Sequence, residues 1–463
     1  MTNLTLFLTT ALLAIASALL SGVVGFLLAP WLGSLVRLRR FVTTVLLVPF
    51  VLPALLIGVA LLPIQNAMNI HSDFGMYWVL FAHVIMNAGY LATVIDAHRI
   101  SHEQLEEAEI AGASKMQILL QLKIPLIVPA ISPSLLLVAL YSATSFGLIK
   151  TLGQGLKTLE TEVATSALRD LDFGRAASLA GLQTLLTLGL FILSQQLAKS
   201  ELSEFSIDEA RKASVPSVVL GWTWVVMLIA IVIPVFVQAF SMGPIAGFVG
   251  LTGQGARDLL NLSVLDAALN SMRNLAVSML ISIPVAWWLS GNRNLKFWAV
   301  IPIGVSPVVI GLAMVVLSGY LPRDVSGSWL VLPIIQSIFV VPLLIQILMP
   351  ARKSLSKEIL DASRMDGAAR LRRVLDIEIP ILWPAIRIAI ALGGLTALGE
   401  FGAASFLAFG NQATLPVVLY RLISRPGLEN FTLAMTVAML FILFAAWIVW
   451  LASRDTRNLH RLS

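Results

Sequence analysis

Runs of about 20 apolar residues follow one another along almost the whole chain, and they restrict the fold more than any other feature. There are eleven, at residues 5–30, 41–62, 74–96, 127–149, 177–198, 217–240, 266–290, 297–318, 328–349, 380–406 and 431–453. A helix needs roughly 20 apolar residues to cross about 30 Å of hydrocarbon. The runs are continuous, whereas the strands of a membrane barrel alternate at every second residue. We therefore expect an all-α integral membrane protein with about 11 transmembrane helices.

The composition agrees with this expectation. Hydrophobic residues make up 58% of the chain and charged residues 12%, and the mean hydropathy is +0.90, far from the values of soluble globular proteins. There is no cysteine, which excludes disulfides and thiolate metal sites. The first run has no basic residue before it and is long enough to span, so we expect a retained helix rather than a cleaved signal.

A polar segment interrupts the apolar runs twice. We call residues 101–124 the first polar segment and residues 354–379 the second polar segment. LEEAEIAGA at 105–113 in the first corresponds to LDASRMDGA at 360–368 in the second, a displacement of 255 residues. The same displacement relates Ile124-Pro125 to Ile379-Pro380 and Phe146-Gly147 to Phe401-Gly402. Such a repeat predicts a fold built from two equivalent units.

The repeat and the charged stretch between its copies predict the domain organisation. We expect a first half at residues 1–198 with about five spans and a second half at residues 217–463 with about six. Residues 199–216 mix both signs of charge with Ser and Ala and end at Pro216, which is typical of a linker.

The distribution of basic residues predicts the orientation. Of the Lys and Arg residues outside the spans, 21 lie on the side of the two polar segments and 8 on the other side. Because basic residues are retained in the cytoplasm, both polar segments should be cytoplasmic. The amino terminus is then outside and the carboxyl terminus inside. The basic residues form no stripe with interleaved aromatic residues, so no nucleic-acid partner is expected.

Each polar segment is expected to contain a short surface helix. Ser101 and Gln104 match a capping box, in which two side chains bind the free N–H groups of a helix start. Gly112 permits a turn that other residues resist. We expect a second helical piece from Ala113 to Lys123, which re-enters the membrane at Pro125.

The residues of these segments resemble a known loop. Glu-Glu-Ala at 106–108 with Gly112, and Asp-Ala-Ser at 361–363 with Gly367, are similar to the EAA loop of type I permeases of binding-protein-dependent ABC importers. The departures are Asp for Glu, Ser for Ala and Glu for Ala. The residues that the resemblance assigns to ATPase coupling are Glu106, Glu107, Ala108, Gly112, Asp361, Ala362, Ser363 and Gly367. Apolar residues that would fill a groove on the ATPase are Leu105, Ala108, Ala111, Leu360, Ala362 and Met365.

The resemblance also implies partners. Two copies of a cytoplasmic ABC ATPase would each receive one loop, an extracytoplasmic solute-binding protein would deliver the cargo, and this one chain would supply both permease halves within the lipid bilayer. ATP and magnesium would be bound by the partner ATPase, with no cofactor and no enzyme activity in this chain. The location implied is the bacterial inner membrane.

A second resemblance concerns the cargo. Thr158–Val163 (TLETEV) and Leu171–Ala177 (LDFGRAA) are similar to fused permeases of the thiamine and ferric-iron branch, and most similar to its thiamine members. The resemblance therefore implies thiamine, with ferric iron, a polyamine or another small solute as alternatives. Members of that branch usually have twelve or more spans.

Polar and aromatic residues within the spans are candidates for the substrate pathway. Glu400 costs about 2.5–3.5 kcal/mol on insertion scales if it faces hydrocarbon, so it should face the bundle interior. It either contacts a cation or packs as a hydrogen-bonded carboxylate, and the sequence leaves both open. The full candidate set is Tyr141, Ser145, Phe146, Thr396, Glu400 and Phe401.

Other classes of protein fit less well. A secondary transporter driven by an ion gradient also contains repeats, and Glu400 would then be its proton site; it would have no use for two cytoplasmic polar segments. A membrane enzyme would need His or carboxylate clusters at acid–base or ligand spacing. A third alternative for each polar segment is an amphipathic helix lying on lipid headgroups.

Overall fold

The computed structural model describes residues 2–68, 74–98, 102–197, 213–252, 262–291, 301–365 and 369–452. Throughout these ranges the regular structure is helical. The chain divides into two compact units, Met1–Met242 and Gly243–Ser463.

The first unit contains eleven helices within its described residues. They are α1 (Asn3–Ser34), α2 (Arg39–Val51), α3 (Ala54–Ala67), α4 (Gly75–Ala97), α5 (His102–Ile110), α6 (Lys115–Gln117), α7 (Ile124–Ala143), α8 (Phe146–Leu152), α9 (Leu159–Leu168), α10 (Phe173–Leu197) and α11 (Val215–Ala239). A π-helix, Ile118–Lys123, joins α6 to α7.

The second unit contains a further eleven within the part that the structure describes. They are α12 (Ala246–Thr252), α13 (Val264–Ser290), α14 (Pro307–Ser318), α15 (Arg323–Ser326), α16 (Val331–Lys353), α17 (Lys357–Met365), α18 (Arg370–Arg373), α19 (Ile379–Leu398), α20 (Ala404–Leu407), α21 (Leu415–Ile423) and α22 (Leu428–Ala452). A π-helix, Val374–Glu378, joins α18 to α19, and 3₁₀ turns cover Ile301–Gly304 and Gly410–Gln412.

The all-α membrane fold predicted from the sequence is confirmed. Among the described residues, eight helical segments are long and apolar enough to span, and two bent helix pairs bring the number to ten. The shorter helix α14 stands at the eighth predicted run. The predicted runs 41–62 and 127–149 are not straight: α2 and α3 meet at 100°, and α7 and α8 at 56°.

The sharp bend between α2 and α3 has a local cause. Leu52 has an extended backbone with φ −65° and ψ 138°, and Pro53 follows it. A residue that precedes proline avoids the α region because the proline ring would clash with it. The helix therefore ends at Val51, and Pro53 caps the next one.

The core of the first unit forms where α1 packs against α4 and α7. Small residues line the contact, and Ala14, Ala18 and Ala143 are buried there beside Leu91 and Val138. Small side chains let membrane helices approach closely, which replaces the hydrophobic drive that is missing in lipid.

Helix α11 packs on the first unit. A Cβ built on Gly221 would lie 2.0 Å from the Trp31 ring of α1, so only glycine fits there. Trp31 also meets Trp222 edge-on with ring centroids 5.5 Å apart. The boundary between the two compact units thus lies at residue 242, whereas the linker predicted from the sequence ends at residue 216. The division into two repeated halves at that linker stays a prediction.

Equivalent contacts recur inside each unit. The Leu159 N–H at the start of α9 donates to Thr10 Oγ1 of α1 at 2.9 Å. The Leu415 N–H at the start of α21 donates to Ser271 Oγ of α13 at 2.8 Å. Thr10 of α1 therefore corresponds to Ser271 of α13. The two units share this hydrogen bond as well as the repeated sequence.

Candidate functional site

Helix α5 of the first polar segment ends in a left-handed turn at Gly112, where φ is +77°. The Gly112 N–H donates to Glu109 O at 3.0 Å, and the Ala113 N–H donates to Ala108 O at 3.0 Å. These two bonds form a Schellman motif, which satisfies carbonyl groups at the end of a helix. Nothing lies within 4 Å of a Cβ built on Gly112, so its backbone conformation, and not space, requires glycine.

The chain returns towards the membrane through a second capped helix. Ser114 and Gln117 form a reciprocal capping box at the start of α6, a signal that the sequence contained at this site. The predicted box at Ser101 lies outside the described residues. The π-helix that follows ends immediately before Ile124-Pro125, and its counterpart ends before Ile379-Pro380.

The second polar segment carries α17 at the matching position. Asp361 and Ala362 are exposed there, whereas Ser363 is buried. In the first polar segment Glu106 and Glu107 are exposed and Ala108 is partly buried. Gly367, the predicted counterpart of Gly112, lies outside the described residues.

Large apolar side chains are exposed at three pairs of equivalent positions on the two segments. Ile110 is 86% exposed and Met365 88%; Met116 is 63% exposed and Leu371 70%; Leu120 is 54% exposed and Leu375 52%. We call Ile110, Met116 and Leu120 the first apolar triad, and Met365, Leu371 and Leu375 the second apolar triad.

Sequence reasoning missed five of these six residues. It proposed Met365 as a groove-filling residue but none of the other five, although Met116 and Leu120 lie within the second predicted helical piece. The signal was available, because each pair keeps a large apolar residue at the repeat displacement.

A buried cluster of charges ties the second polar segment to the membrane helices. Glu378 Oε2 accepts a hydrogen bond from Arg352 Nη2 at 2.9 Å, and Arg373 Nε lies 3.6 Å from Glu378 Oε1. Arg352 also donates to the Trp287 carbonyl of α13 at 2.7 Å. The first unit has Lys123 at the position of Glu378, so the two segments are anchored differently.

The predicted pathway residues form three pairs at the repeat displacement. Tyr141 and Thr396 are exposed, and they lie on α7 and α19 shortly before each helix ends. The remaining four residues are buried; these are Ser145, Phe146, Glu400 and Phe401. Within each unit, then, only the first member of the set is exposed.

Glu400 lies in a break rather than in mid-helix, because α19 ends at Leu398 although the predicted span continues to residue 406. Its Oε1 accepts from the Ala403 N–H at 2.7 Å and its Oε2 from the Ala404 N–H at 3.0 Å. The carboxylate therefore caps the short helix α20. Of the two roles left open by the sequence, this geometry is that of a hydrogen-bonded structural carboxylate.

Tyr141 belongs to an aromatic group in the first unit. Phe50 and Tyr90 stack with centroids 4.3 Å apart, and Phe50 lies 6.4 Å from Tyr141. The Tyr90 hydroxyl donates to Ser134 Oγ at 3.2 Å. Thr396 takes the place of Tyr141 in the second unit.

The residues that carry the resemblance to the thiamine branch stabilise a local structure. Thr158 and Thr161 form the capping box of α9. Glu162, which is 9% exposed in its side chain, lies 3.5 Å from Lys157 Nζ and 3.4 Å from Arg175 Nη2. These contacts connect the start of α9 to α10.

Within the described ranges no three His, Asp or Glu side chains come together as metal ligands would.

Comparison with known proteins decides the family. A family profile described as "Binding-protein-dependent transport system inner membrane component" matches residues 21–200, which include the first polar segment. Residues 21–200 therefore belong to the family of binding-protein-dependent ABC transporter permeases. The family predicted from the two polar segments is thus confirmed, and the permease is a multi-pass membrane protein of a transport system.

Three relatives show the range of the family. The thiamine transport system permease protein ThiP of Haemophilus influenzae is 25% identical over 467 residues, covering 93% of this permease and 85% of the relative. The probable ABC transporter permease y4fN of Sinorhizobium fredii is 25% identical over 74% of this permease, which spans 66% of that protein's length. The molybdenum transport system permease ModB of Haemophilus influenzae is 26% identical over 39% of this permease and 92% of its own length. No solved structure gives a significant match.

Proposed function

We propose that the permease couples solute passage to two copies of a cytoplasmic ABC ATPase, one bound at each apolar triad. The observation that supports this proposal is the matched exposure of the two triads. Large apolar side chains on an otherwise polar surface mark a protein contact, because burial of their surface yields about 25 cal/mol per Å².

The charged residues around the triads suit the edge of such a contact. Glu106, Glu107 and Asp361 are exposed beside the apolar residues. Interfaces typically combine a buried apolar centre with a polar rim. A headgroup-bound helix would instead favour basic residues on its polar face, whereas α5 carries Glu106, Glu107 and Glu109.

Substitution of one triad residue in each unit tests the proposal. We expect Ile110→Gln and Met365→Gln together to reduce the amount of ATPase that co-purifies with the permease by on the order of tenfold, because each buried anchor contributes more than about 1 kcal/mol. The matched control is Val36→Gln, since Val36 is also an exposed apolar residue, at 73%, on the same predicted face. Equal recovery of the ATPase with all variants would contradict docking at the triads.

We also propose the bacterial inner membrane as the location, with the amino terminus outside and both polar segments in the cytoplasm. The absence of native cysteine makes the orientation easy to test with single-cysteine variants. Val36→Cys should react with an impermeant maleimide only after the membrane is opened, and Asp324→Cys should react in intact spheroplasts. The reverse labelling pattern would contradict the proposed orientation.

For the cargo, we propose thiamine delivered by a solute-binding protein. Two observations support it: the relative named as a thiamine permease covers most of the chain, and Tyr141 belongs to a partly exposed aromatic group that suits an aromatic cation. The solute would pass Tyr141 and Thr396, which are exposed at equivalent positions.

Uptake by proteoliposomes that contain permease, ATPase and binding protein tests the cargo. We expect thiamine uptake in the wild type, about tenfold slower uptake with Tyr141→Ala, and near-normal uptake with Tyr141→Phe, because the ring and not the hydroxyl contacts the cation. Uptake of ferric ion, a polyamine or molybdate in place of thiamine would reject the proposed cargo while leaving the ATPase coupling intact.

A further inference from the structure

A cavity of about 230 Å³ opens in the second unit near the start of α16, at the opposite end of that helix from the second polar segment. Its wall combines two aromatic rings with several hydrogen-bonding side chains. The residues relevant here are Arg273, Asn274, Ser328, Trp329, Phe409 and Gln412. None of them belongs to the predicted coupling or pathway sets.

Arg273 carries a positive charge on a membrane-length helix, α13. Its Cζ lies 4.3 Å from the centroid of the Trp329 ring. It makes no ion pair or hydrogen bond with any other residue that the structure describes. An arginine within a membrane-spanning helix makes insertion into the bilayer less favourable, and it is usually retained for a function. Its five N–H donors are therefore free to bind a ligand.

Asn274 is a second polar group without a partner. Its side chain is 2% exposed, and Oδ1 has no hydrogen-bond partner within the described structure. A buried amide left unpaired costs about 1–3 kcal/mol. Because the oxygen and nitrogen of an amide are interchangeable by a flip, the group can donate as well as accept.

The first unit lacks both polar residues. The hydrogen bonds that relate Thr10 to Ser271 give a displacement of 261 residues between α1 and α13, so Arg273 corresponds to Leu12 and Asn274 to Leu13. Leu13 is fully buried in the first unit and Leu12 is exposed. The fold of a unit is thus compatible with leucine at both positions, so the polar pair in the second unit is not needed for packing.

We propose that this cavity binds a small oxyanion or carboxylate. The guanidinium of Arg273 donates two parallel hydrogen bonds to the anion, as it does to carboxylates and phosphates generally. Asn274 and the Ser328 hydroxyl supply further donors; Ser328 Oγ already accepts from the Leu330 N–H at 3.3 Å, which leaves its O–H available. The rings of Trp329 and Phe409 form part of the cavity wall.

The anion is either a free solute anion or the phosphate of a phospholipid, and the recognition chemistry is the same for both. The site goes beyond the proposed coupling and does not depend on the identity of the cargo. Its predicted position is the extracytoplasmic end of the second unit.

Calorimetric titration of the purified full-length permease in detergent, without added lipid, tests the free-anion source. Inorganic phosphate and acetate are added at constant ionic strength with chloride as the background anion. We expect saturable binding to the wild type and an apparent Kd raised by on the order of tenfold or more with Arg273→Leu, because charge-assisted hydrogen bonds are lost. Asn274→Leu should weaken binding less.

The control is Arg323→Leu, which removes a positive charge from the short helix α15 beside the cavity without changing its wall. Binding should be unchanged in that variant. Leucine is the residue of the first unit at both tested positions, so the variants should insert and fold normally.

Native mass spectrometry with added phosphatidic acid tests the lipid source. Retention of the lipid by the wild type and its loss in Arg273→Leu would support the site with a lipid phosphate as its ligand. If phosphate, acetate and phosphatidic acid all bind the wild type and Arg273→Leu equally, or none of them binds the wild type, the proposal is rejected.

Discussion

Glu400 and Ser145 occupy the same position of the two repeats but have different environments. Both oxygens of Glu400 accept backbone N–H groups at the start of α20. Ser145 Oγ is buried and has no hydrogen-bond partner within the described structure. The residue at this position therefore decides whether a carboxylate caps the helix that follows the break.

We expect Glu400→Gln to destabilise the permease by about 1–3 kcal/mol, because glutamine has one accepting oxygen and would leave the Ala403 or Ala404 N–H unpaired. The measurement is thermal unfolding in detergent. Thr396→Ala is the control, since Thr396 Oγ1 only donates to its own helix at Leu392 O, 2.9 Å away. If Glu400→Gln abolishes uptake without any loss of stability, Glu400 acts in the pathway and not as a cap.

Gly112 provides a second prediction at this scale. We expect Gly112→Ala to loosen the end of α5, since a left-handed conformation costs about 1–2 kcal/mol for a residue with a Cβ. Hydrogen exchange of the amides of residues 105–113 should become faster. Gly181→Ala is the matched control: Gly181 lies inside α10 with open space around its Cβ, so the substitution should be neutral or stabilising by up to about 1 kcal/mol. Unchanged exchange in Gly112→Ala would show that the turn does not depend on glycine.

At the scale of elements, each polar segment re-enters the membrane through a π-helix that ends before a proline. Pro125 and Pro380 have no N–H to give to the preceding turn, and their rings would crowd its carbonyl. A wider π turn relieves this conflict. The two segments differ in the contacts that stabilise this π-helix. The cluster of Arg352, Glu378 and Arg373 is present in the second segment, whereas the first has Lys123 in place of Glu378.

We expect Glu378→Gln to destabilise the second unit by about 3–5 kcal/mol, because removal of one partner leaves two largely buried guanidinium groups without their carboxylate. Thermal unfolding and the coupling of ATP hydrolysis to uptake are the measurements. Asp376→Asn is the control on the same π-helix; its pair with Arg372 spans 3.8 Å between side chains that are 66% and 81% exposed, so its loss should be close to neutral. Equal effects of the two substitutions would contradict an anchoring role for the cluster.

At the scale of the whole molecule, the permease is two compact units whose boundary does not coincide with the boundary of the repeat. Helix α11 follows the linker predicted from charge, yet it packs on α1 of the first unit through Gly221 and Trp31. The first unit therefore needs a helix that the sequence repeat assigns to the second half.

We expect a fragment of residues 1–242 to be more stable than a fragment of residues 1–197, because the shorter one exposes the surface of α1 that α11 covers. Thermal unfolding in detergent measures the difference. In the full chain, Gly221→Leu should cause part of the same loss of stability, since any Cβ at that position collides with the Trp31 ring. Equal stability of the two fragments would show that α11 contributes nothing to the first unit.

The sequence by itself determined the class of fold, the repeat and the family. Long apolar runs and a constant displacement of polar residues are properties of the chain alone, and a helix in lipid must satisfy its own backbone wherever it lies. The cap at Gly112 was predictable for the same reason, because it depends on neighbouring residues only.

Tertiary structure decided what depends on residues distant in the chain. It showed that Glu400 caps a helix start, that Arg352 and Glu378 pair across 26 residues, and that Arg273 and Asn274 share a cavity with Trp329 and Phe409. Periodicity cannot reveal these contacts, because they depend on how separate helices pack and where each is broken. The same physics explains the missed triads: exposure follows from which face of a helix the other elements leave uncovered.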